Sequence, residues 1–380
     1  MLQLPPLSLY IHIPWCIEKC PYCDFNSHKL RGEIPEQAYL EALLKDLKTD
    51  LFYVQGRILD TIFIGGGTPS LISAQGIGWL LKEVEQLIPF KENIEITLEA
   101  NPGAIENSKI AEFYKAGVSR FSFGVQSFQQ EKLTRLGRIH GVDEAKSAAL
   151  QAKESGVSTF NLDLMHGLPD QSLEDALFDL QTAIDLKPTH LSWYQLTIEP
   201  NTQYFSHPPK LPEDELLWEI QEAGQKLLAE HGYRQYEISG YTQVGFECQH
   251  NINYWSFSDY LGIGCGAHGK LTLPLENKII RTTKIKHPKG YLDESRPFLD
   301  DLQTVAQEDL AFEYMMNRMR LIAPIPFAEF EQYTGLSIDA IALPIQQAID
   351  KQLLIKHSDH WLMTDLGHRY LNELLMLFMD

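Results

Sequence analysis

The chain has 380 residues, 44% of them apolar and 22% charged, which suits two or three globular domains and leaves no stretch of disordered composition. Its 51 acidic and 32 basic residues give a formal net charge of −19. Without a compensating basic stripe, that charge repels phosphate backbones and argues against nucleic acid as a partner.

No apolar run approaches the ~20 residues needed to cross a bilayer, so no integral membrane segment is expected. The first residues lack a charged stretch followed by an apolar one, and a cytoplasmic location is expected. Three of the five cysteines fall within eight residues, which reads as a metal site in a reducing compartment, not a disulfide framework.

From the N-terminus, short β-branched or aromatic runs alternate with amphipathic stretches. Strands are expected at Leu7–Ile13, Leu59–Ile64, Ile94–Leu98, Arg120–Gly124, Thr159–Leu164 and Leu191–Thr197. Helices are expected near Glu36–Val54, Ala74–Ile88, Asn107–Ala116, Asp143–Ser155, Leu173–Leu186 and Glu213–His231, with Gly117, Gly156 and Gly232 where C-caps belong. Such βαβ repetition over residues 1–240 predicts an α/β fold: a parallel sheet curved into a partial (β/α)6 barrel. A flat doubly wound sheet shares the same rhythm. Over 241–303 the rhythm stops, and the Gly-, aromatic- and His-rich segment reads as strands and irregular pieces packed near the barrel mouth.

Residues 304–380 read as a separate, helical, winged-helix-like unit. Thr304–Leu321 is expected to be a helix with Leu310, Tyr314 and Met315 on one face. Helices near Phe327–Tyr333 and Asp339–Lys351 precede a hairpin of Leu353–Lys356 and His360–Met363, and Thr364 caps a last helix. With 11 acidic and 5 basic residues, this unit suits a structural or partner-binding role better than DNA binding.

Cys16-Ile-Glu-Lys-Cys20-Pro-Tyr-Cys23 has C-x3-C-x2-C spacing in a loop after the first strand. Three thiolates in one loop can hold three irons of a cubane cluster and leave the fourth without a protein ligand. The alternative is a zinc site with His28 or His12 as fourth ligand. Polar residues then recur at successive strand ends, where barrel proteins keep their chemistry. Gly65-Gly-Gly-Thr-Pro69 follows the second strand, Glu99 the third and Gln126 the fourth. Arg138 follows as a cation suited to a carboxylate, Asp163 ends the fifth strand and Thr197 the sixth. Any one of these residues is compatible with a helix cap or a solvated loop; their recurrence beside the cysteine loop points to one ligand.

The cysteine spacing, with Tyr22 beside it, resembles the radical S-adenosylmethionine (SAM) superfamily. The surrounding sequence resembles its oxygen-independent coproporphyrinogen III oxidase (HemN) branch along nearly the whole chain, and within that branch the heme chaperones of the HemW family. The resemblance implies a radical SAM barrel followed by a HemN-type C-terminal domain. It implies a 4Fe–4S cluster on Cys16, Cys20 and Cys23, whose open iron takes the methionine group of SAM. It places SAM contacts at Tyr10, Tyr22, Gly66, Gly67, Thr68, Glu99, Gln126, Arg138 and Asp163; Thr197, Ala267 and His268 match less closely.

Two departures from the oxidases stand out. Asp24-Phe25 replaces their Gly-Cys after the third cysteine, and this chain begins only nine residues before Tyr10, where they carry an N-terminal extension. His250-Asn-Ile-Asn-Tyr-Trp255 instead resembles the H-N-x-x-Y-W heme-binding motif of the chaperones. A neutral imidazole at His250 suits heme iron, Tyr254 and Trp255 offer flat apolar faces, and Asn251 could orient a propionate. The alternative is a hydrogen-bonded loop histidine with core aromatics. Cys248 reads as a soft ligand or a small buried thiol, and Cys265 as a packing residue. The expected function is heme binding and transfer to an acceptor protein, with an electron donor serving the cluster. Coproporphyrinogen decarboxylation and radical modification of another substrate are the rival readings.

Overall fold

The computed structural model describes residues 2–104 and 109–379. All six expected strands are present: β1 (Leu7–Ile13), β2 (Leu59–Gly66), β3 (Phe90–Ala100), β4 (Arg120–Gln126), β5 (Thr159–His166) and β6 (His190–Gln195). Several run further than expected at their C-terminal ends, so Gly66, Glu99 and Gln126 lie within strands, whereas the sixth stops at Gln195 and leaves Thr197 in the loop beyond it. They pair in parallel in chain order, and a seventh parallel strand, Asp259–Ile263, joins the free side of β1.

The pleat explains why these segments form strands and how the sheet is used. In β1, Leu7, Leu9, Ile11 and Ile13 are fully buried, while Ser8, Tyr10 and His12 point to the opposite face. Ile96 and Leu98 alternate likewise with Glu95, Thr97 and Glu99, and Phe121 and Phe123 with Arg120 and Ser122. The apolar face packs under helices α1 (Glu36–Asp50), α2 (Ala74–Leu87), α3 (Lys109–Lys115), α4 (Val142–Glu154), α5 (Leu173–Asp185) and α6 (Asp214–Glu230) in one continuous core. The polar face is concave: residues from all six strands line one interior cavity, so the sheet is a partial barrel and not a flat layer. Gly117, Gly156 and Gly232 end helices with φ of 110°, 80° and 82°. Asn107, in the helix expected near Asn107–Ala116, lies outside the described residues.

The segment after the repeats is more regular than its composition suggested. Two short strands, β7 (Arg234–Gln235) and β8 (Gly240–Thr242), continue the sheet antiparallel beyond β6. Helix α7 (Gln249–Trp255) leads into the seventh parallel strand, β9 (Asp259–Ile263). Antiparallel β10 (His268–Leu273), β11 (Lys278–Lys284) and β12 (Leu299–Thr304) follow, completing a twelve-stranded sheet. Because α7 precedes a strand parallel to β1, it lies at the N-terminal end of the strands, opposite the mouth where it was expected.

The expected helix over Thr304–Leu321 is shorter. Thr304 pairs with Ile280 as the last residue of β12, an exposed edge strand bearing Asp300 and Asp301, and helix α8 spans Leu310–Arg318. Helices α9 (Phe327–Thr334) and α10 (Ala342–Asp350) follow, with the hairpin β14 (Leu354–Lys356) and β15 (His360–Met363). A two-residue strand, β13 (Ile325–Pro326), makes that hairpin three-stranded. Thr364 caps the short helix Asp365–Arg369 by accepting from Gly367 N at 2.9 Å, but the last helix is a separate one that follows it, Leu371–Met376. This unit has its own core around Tyr314, Phe330 and Trp361, into which the barrel sends Leu2, Phe257 and Ile279.

Candidate functional site

A cavity of about 720 Å³ runs along the barrel axis, where a closed barrel of this class would be filled by packed side chains. Cys16, Cys20, Cys23 and Arg138 stand at its mouth, Glu99 and Asp163 at mid-depth, and Arg120 and His250 at its floor.

At the mouth, Cys16 is buried in a short extended piece, and Cys20 and Cys23 are half-buried in the loop that follows. Cys23 N donates to Cys20 O at 3.2 Å, closing a turn that holds both thiols on one side. All five cysteines are free. Burial raises the Cys16 and Cys23 thiols, partly opposed by hydrogen bonds from Thr68 to Cys16 and from Ser27 to both. A group that binds thiolates must offset that cost, as a metal centre does. Among the described residues no three His, Cys, Asp or Glu side chains converge closely enough to chelate a single metal ion. Gly67 leaves the room: a Cβ there would stand 2.5 Å from Trp15 O and 3.0 Å from Cys16 Sγ. Arg138 Nη2 donates to Gly124 O at 2.6 Å and Nη1 points to Cys20 Sγ at 3.5 Å, while Nε has no hydrogen-bond partner.

The cysteine loop is seated from behind. Asn26 Nδ2 donates to Cys265 O and Lys286 O, each at 2.9 Å. The Gly264 amide donates to Asp46, and Asp46 and Asp50 share the buried Lys284 ammonium at 2.5 and 2.7 Å. Cys265 is therefore a packing residue of this seat: its thiol donates to Lys286 O and is fully buried.

At mid-depth, Glu99 accepts from Gly66 N at 3.0 Å, and burial, then the Asp163 charge, push its carboxyl up to about 8. Burial also raises Asp163, which accepts from Ser122 and Asn161 at 3.1 and 2.7 Å. Gln126 is held at φ 74°, a costly region for a residue with a side chain, and accepts from the Tyr194 hydroxyl at 2.9 Å.

At the floor, α7 aims His250 inward. Its Nδ1 lies 2.8 Å from Thr61 Oγ1, and its ring lies against Phe63 with centroids 5.1 Å apart. Burial, then the Arg120 charge, push the imidazole down to about 3, so it is neutral. Nε2 makes no hydrogen bond among the described residues. Glu95 accepts from His250 N and Gln249 N at 3.0 and 3.1 Å and from the Cys248 thiol at 3.4 Å, fixing the start of the helix. Burial pushes that thiol up to about 12, so Cys248 is a small buried donor here. Tyr254 and Trp255 meet edge-on, the Arg320 guanidinium sits over the Trp255 ring, and Asn251 Nδ2 donates to Tyr236 OH at 3.4 Å.

Of the residues expected from sequence, the structure brings together Tyr10, Tyr22, Gly66, Gly67, Thr68, Glu99, Gln126, Arg138, Asp163 and Thr197 with the three cysteines. The motif residues His250, Asn251, Tyr254 and Trp255 line the same cavity. Ala267 and His268 do not line it: Ala267 is buried, and His268 is exposed beside Thr283. Sequence reasoning missed Arg120, Ser122, Asn161, Ser192, Tyr194 and Glu237. For all but Glu237, which lies in the turn between β7 and β8, the signal was the polar phase of the strand alternation.

Comparison with known proteins fits this arrangement. The family described as the radical SAM superfamily matches residues 10–180, and the HemN C-terminal domain matches residues 305–370. The chain is 56% identical over 383 residues to the heme chaperone HemW of Haemophilus influenzae, covering 100% of this chain and 99% of that protein. It is 55% identical over 379 residues to the heme chaperone HemW of Escherichia coli, covering 100% of both. The chain belongs to the HemW family. Its fold is shared with a solved Escherichia coli coproporphyrinogen III oxidase, HemN, at a TM-score of 0.83 and 22% identity, covering 99% of this chain and 90% of that one. The radical SAM superfamily, to which HemW proteins belong, uses a 4Fe–4S cluster and SAM. Three free thiols beside a glycine cradle and an arginine with an unsatisfied Nε fit that pair of groups.

Proposed function

We propose that this protein binds heme through His250 and passes it to an acceptor protein. Cys16, Cys20 and Cys23 would hold the cluster, and the residues from the mouth to mid-depth would hold SAM. The observation that carries the reading is His250 itself: in a chain aligned end to end with heme chaperones, it offers a neutral imidazole to the cavity that the three thiols also line. Thr61 on Nδ1 leaves Nε2 as the nitrogen for a metal.

A bound cluster with one open iron would supply an electron to the sulfonium of SAM. The chain's own groups position that ligand. Arg138 presents a fixed cation for its carboxylate, Gly66 and Gly67 let the backbone come close, and Glu99 and Asp163 offer hydrogen-bonding partners at mid-depth. The buried Glu99 carboxyl, protonated near neutral pH, can donate as well as accept.

No helix among the described residues is long and apolar enough to cross a membrane. The free cysteines support a cytoplasmic setting, where an electron donor would serve the cluster.

Two measurements test the reading. Heme titration of wild type against His250→Ala should show weakened or altered axial ligation; identical spectra and affinity would remove His250. Anaerobically reconstituted protein given SAM, reductant and coproporphyrinogen III should form no decarboxylated porphyrin; turnover would overturn the chaperone reading in favour of the oxidase.

A further inference from the structure

Arg120 opens β4 and points into the barrel, opposite Phe121 on the packed face. It is only 2% exposed, yet its Nε has no hydrogen-bond partner and its guanidinium forms no ion pair among the described residues. A buried charge left this way is costly, and buried arginines are ordinarily paired. The acids in electrostatic range, Glu95, Asp163 and Glu99, make no hydrogen bond to it and are engaged elsewhere, Glu99 with the Gly66 amide. Glu95 binds the start of α7, and Asp163 binds Ser122 and Asn161. The other guanidinium lining the cavity, Arg138, is at the opposite end and already holds Gly124 O. The floor therefore carries one uncommitted planar cation beside a neutral imidazole, under a cavity whose remaining charged side chains are acidic.

We propose that Arg120 is the carboxylate anchor of the ligand that His250 holds, pairing through its fork with a propionate of the porphyrin. The inference rests on the heme reading and adds to it a recognition element for the acidic edge of the ring. A guanidinium matches a carboxylate with two parallel N–H···O bonds, and pairing within a desolvated floor makes that match strong. The same positive charge favours the uncharged form of the His250 ring, so one residue serves both the anchor and the ligand.

The test compares heme with heme dimethyl ester, whose propionates carry no charge, by Soret titration of the anaerobically reconstituted full chain. Wild type should prefer heme roughly tenfold or more, the worth of one charge-assisted pair. Arg120→Met should abolish that preference, and Arg120→Lys, which restores charge without the fork, should recover part of it. His250→Ala should weaken both porphyrins while keeping the preference. Equal binding of heme and ester by wild type, or a preference that survives in Arg120→Met, would overturn the inference while leaving heme binding intact. Wild type binding neither porphyrin would overturn the heme reading itself and the anchor with it. If Arg120→Met fails to fold, by circular dichroism and iron content, the wild-type comparison of the two porphyrins decides alone.

Discussion

Thr61 Oγ1 lies 2.8 Å from His250 Nδ1 and 2.7 Å from Ser8 Oγ, so one hydroxyl on β2 ties β1 to the histidine of α7. That bond sets the ring's orientation and leaves Nε2 toward the cavity. Thr61→Val keeps the shape and deletes the bond. Heme affinity should fall about 10–100-fold, the usual cost of losing a partner behind a metal-ligating histidine. An unchanged titration curve would show that packing against Phe63 orients the ring without help.

The cysteine loop lies outside the barrel core, and Cys20 is only half-buried. Cys20→Ser should therefore abolish bound iron and sulfide while changing apoprotein stability by no more than ~0.5 kcal/mol. Metal analysis and urea denaturation measure the two effects separately. Retention of a full iron and sulfide complement would refute the ligand assignment.

Stability should fall as pH rises through the window set by Glu99. Its carboxyl is ordinarily near 4.5 and stands at about 8 in the fold, because burial disfavours the charged form. Below 4.5 both folded and unfolded chains carry the proton. Between 4.5 and 8 the unfolded chain has lost it while the folded one keeps it, so stability declines with pH and levels off above 8. Glu237, pushed up to about 7 by burial, acts in the same direction at lower pH. Glu99→Gln should flatten the decline between pH 7 and 8, measured by denaturant titration of the apoprotein. An identical slope in the variant would assign that decline to other groups.

Lys284 is fully buried between Asp46 and Asp50, and Asp46 also holds the Gly264 amide and the Tyr291 hydroxyl. Lys284→Met strands two buried carboxylates, which should cost ~3–5 kcal/mol in urea denaturation. Iron retention should fall as well, because Gly264–Cys265 is part of the seat behind Asn26. A loss below ~1 kcal/mol would mean that the carboxylates take up protons and the triad is dispensable.

Much of this architecture was legible in the sequence, because strand and helix signals here are local. Alternating residues in Leu7–Ile13 and the glycines after helices marked elements whose positions the structure repeats. The thiols and the polar strand ends line one cavity, since each was read from its place relative to a strand. What escaped notice depends on pairing. Nothing local reveals that Asp259–Ile263 aligns beside Leu7–Ile13, and without that pairing α7 could not be assigned to an end of the barrel. Arg120 escaped for a related reason: an arginine at a strand start ordinarily faces water, and only closure of the sheet buries it. The first turn of the expected Thr304 helix was lost to an edge pairing with Ile280.

The pleat divides labour between neighbours in sequence. Phe121 holds the shell while Arg120 and Ser122 meet the lumen, and the same split recurs in β1 and β3. Exchanges on the inner phase can thus retune what the lumen admits with little effect on the outer shell. A scaffold wired this way can acquire a new cargo through single-residue steps, each one selectable without repair elsewhere.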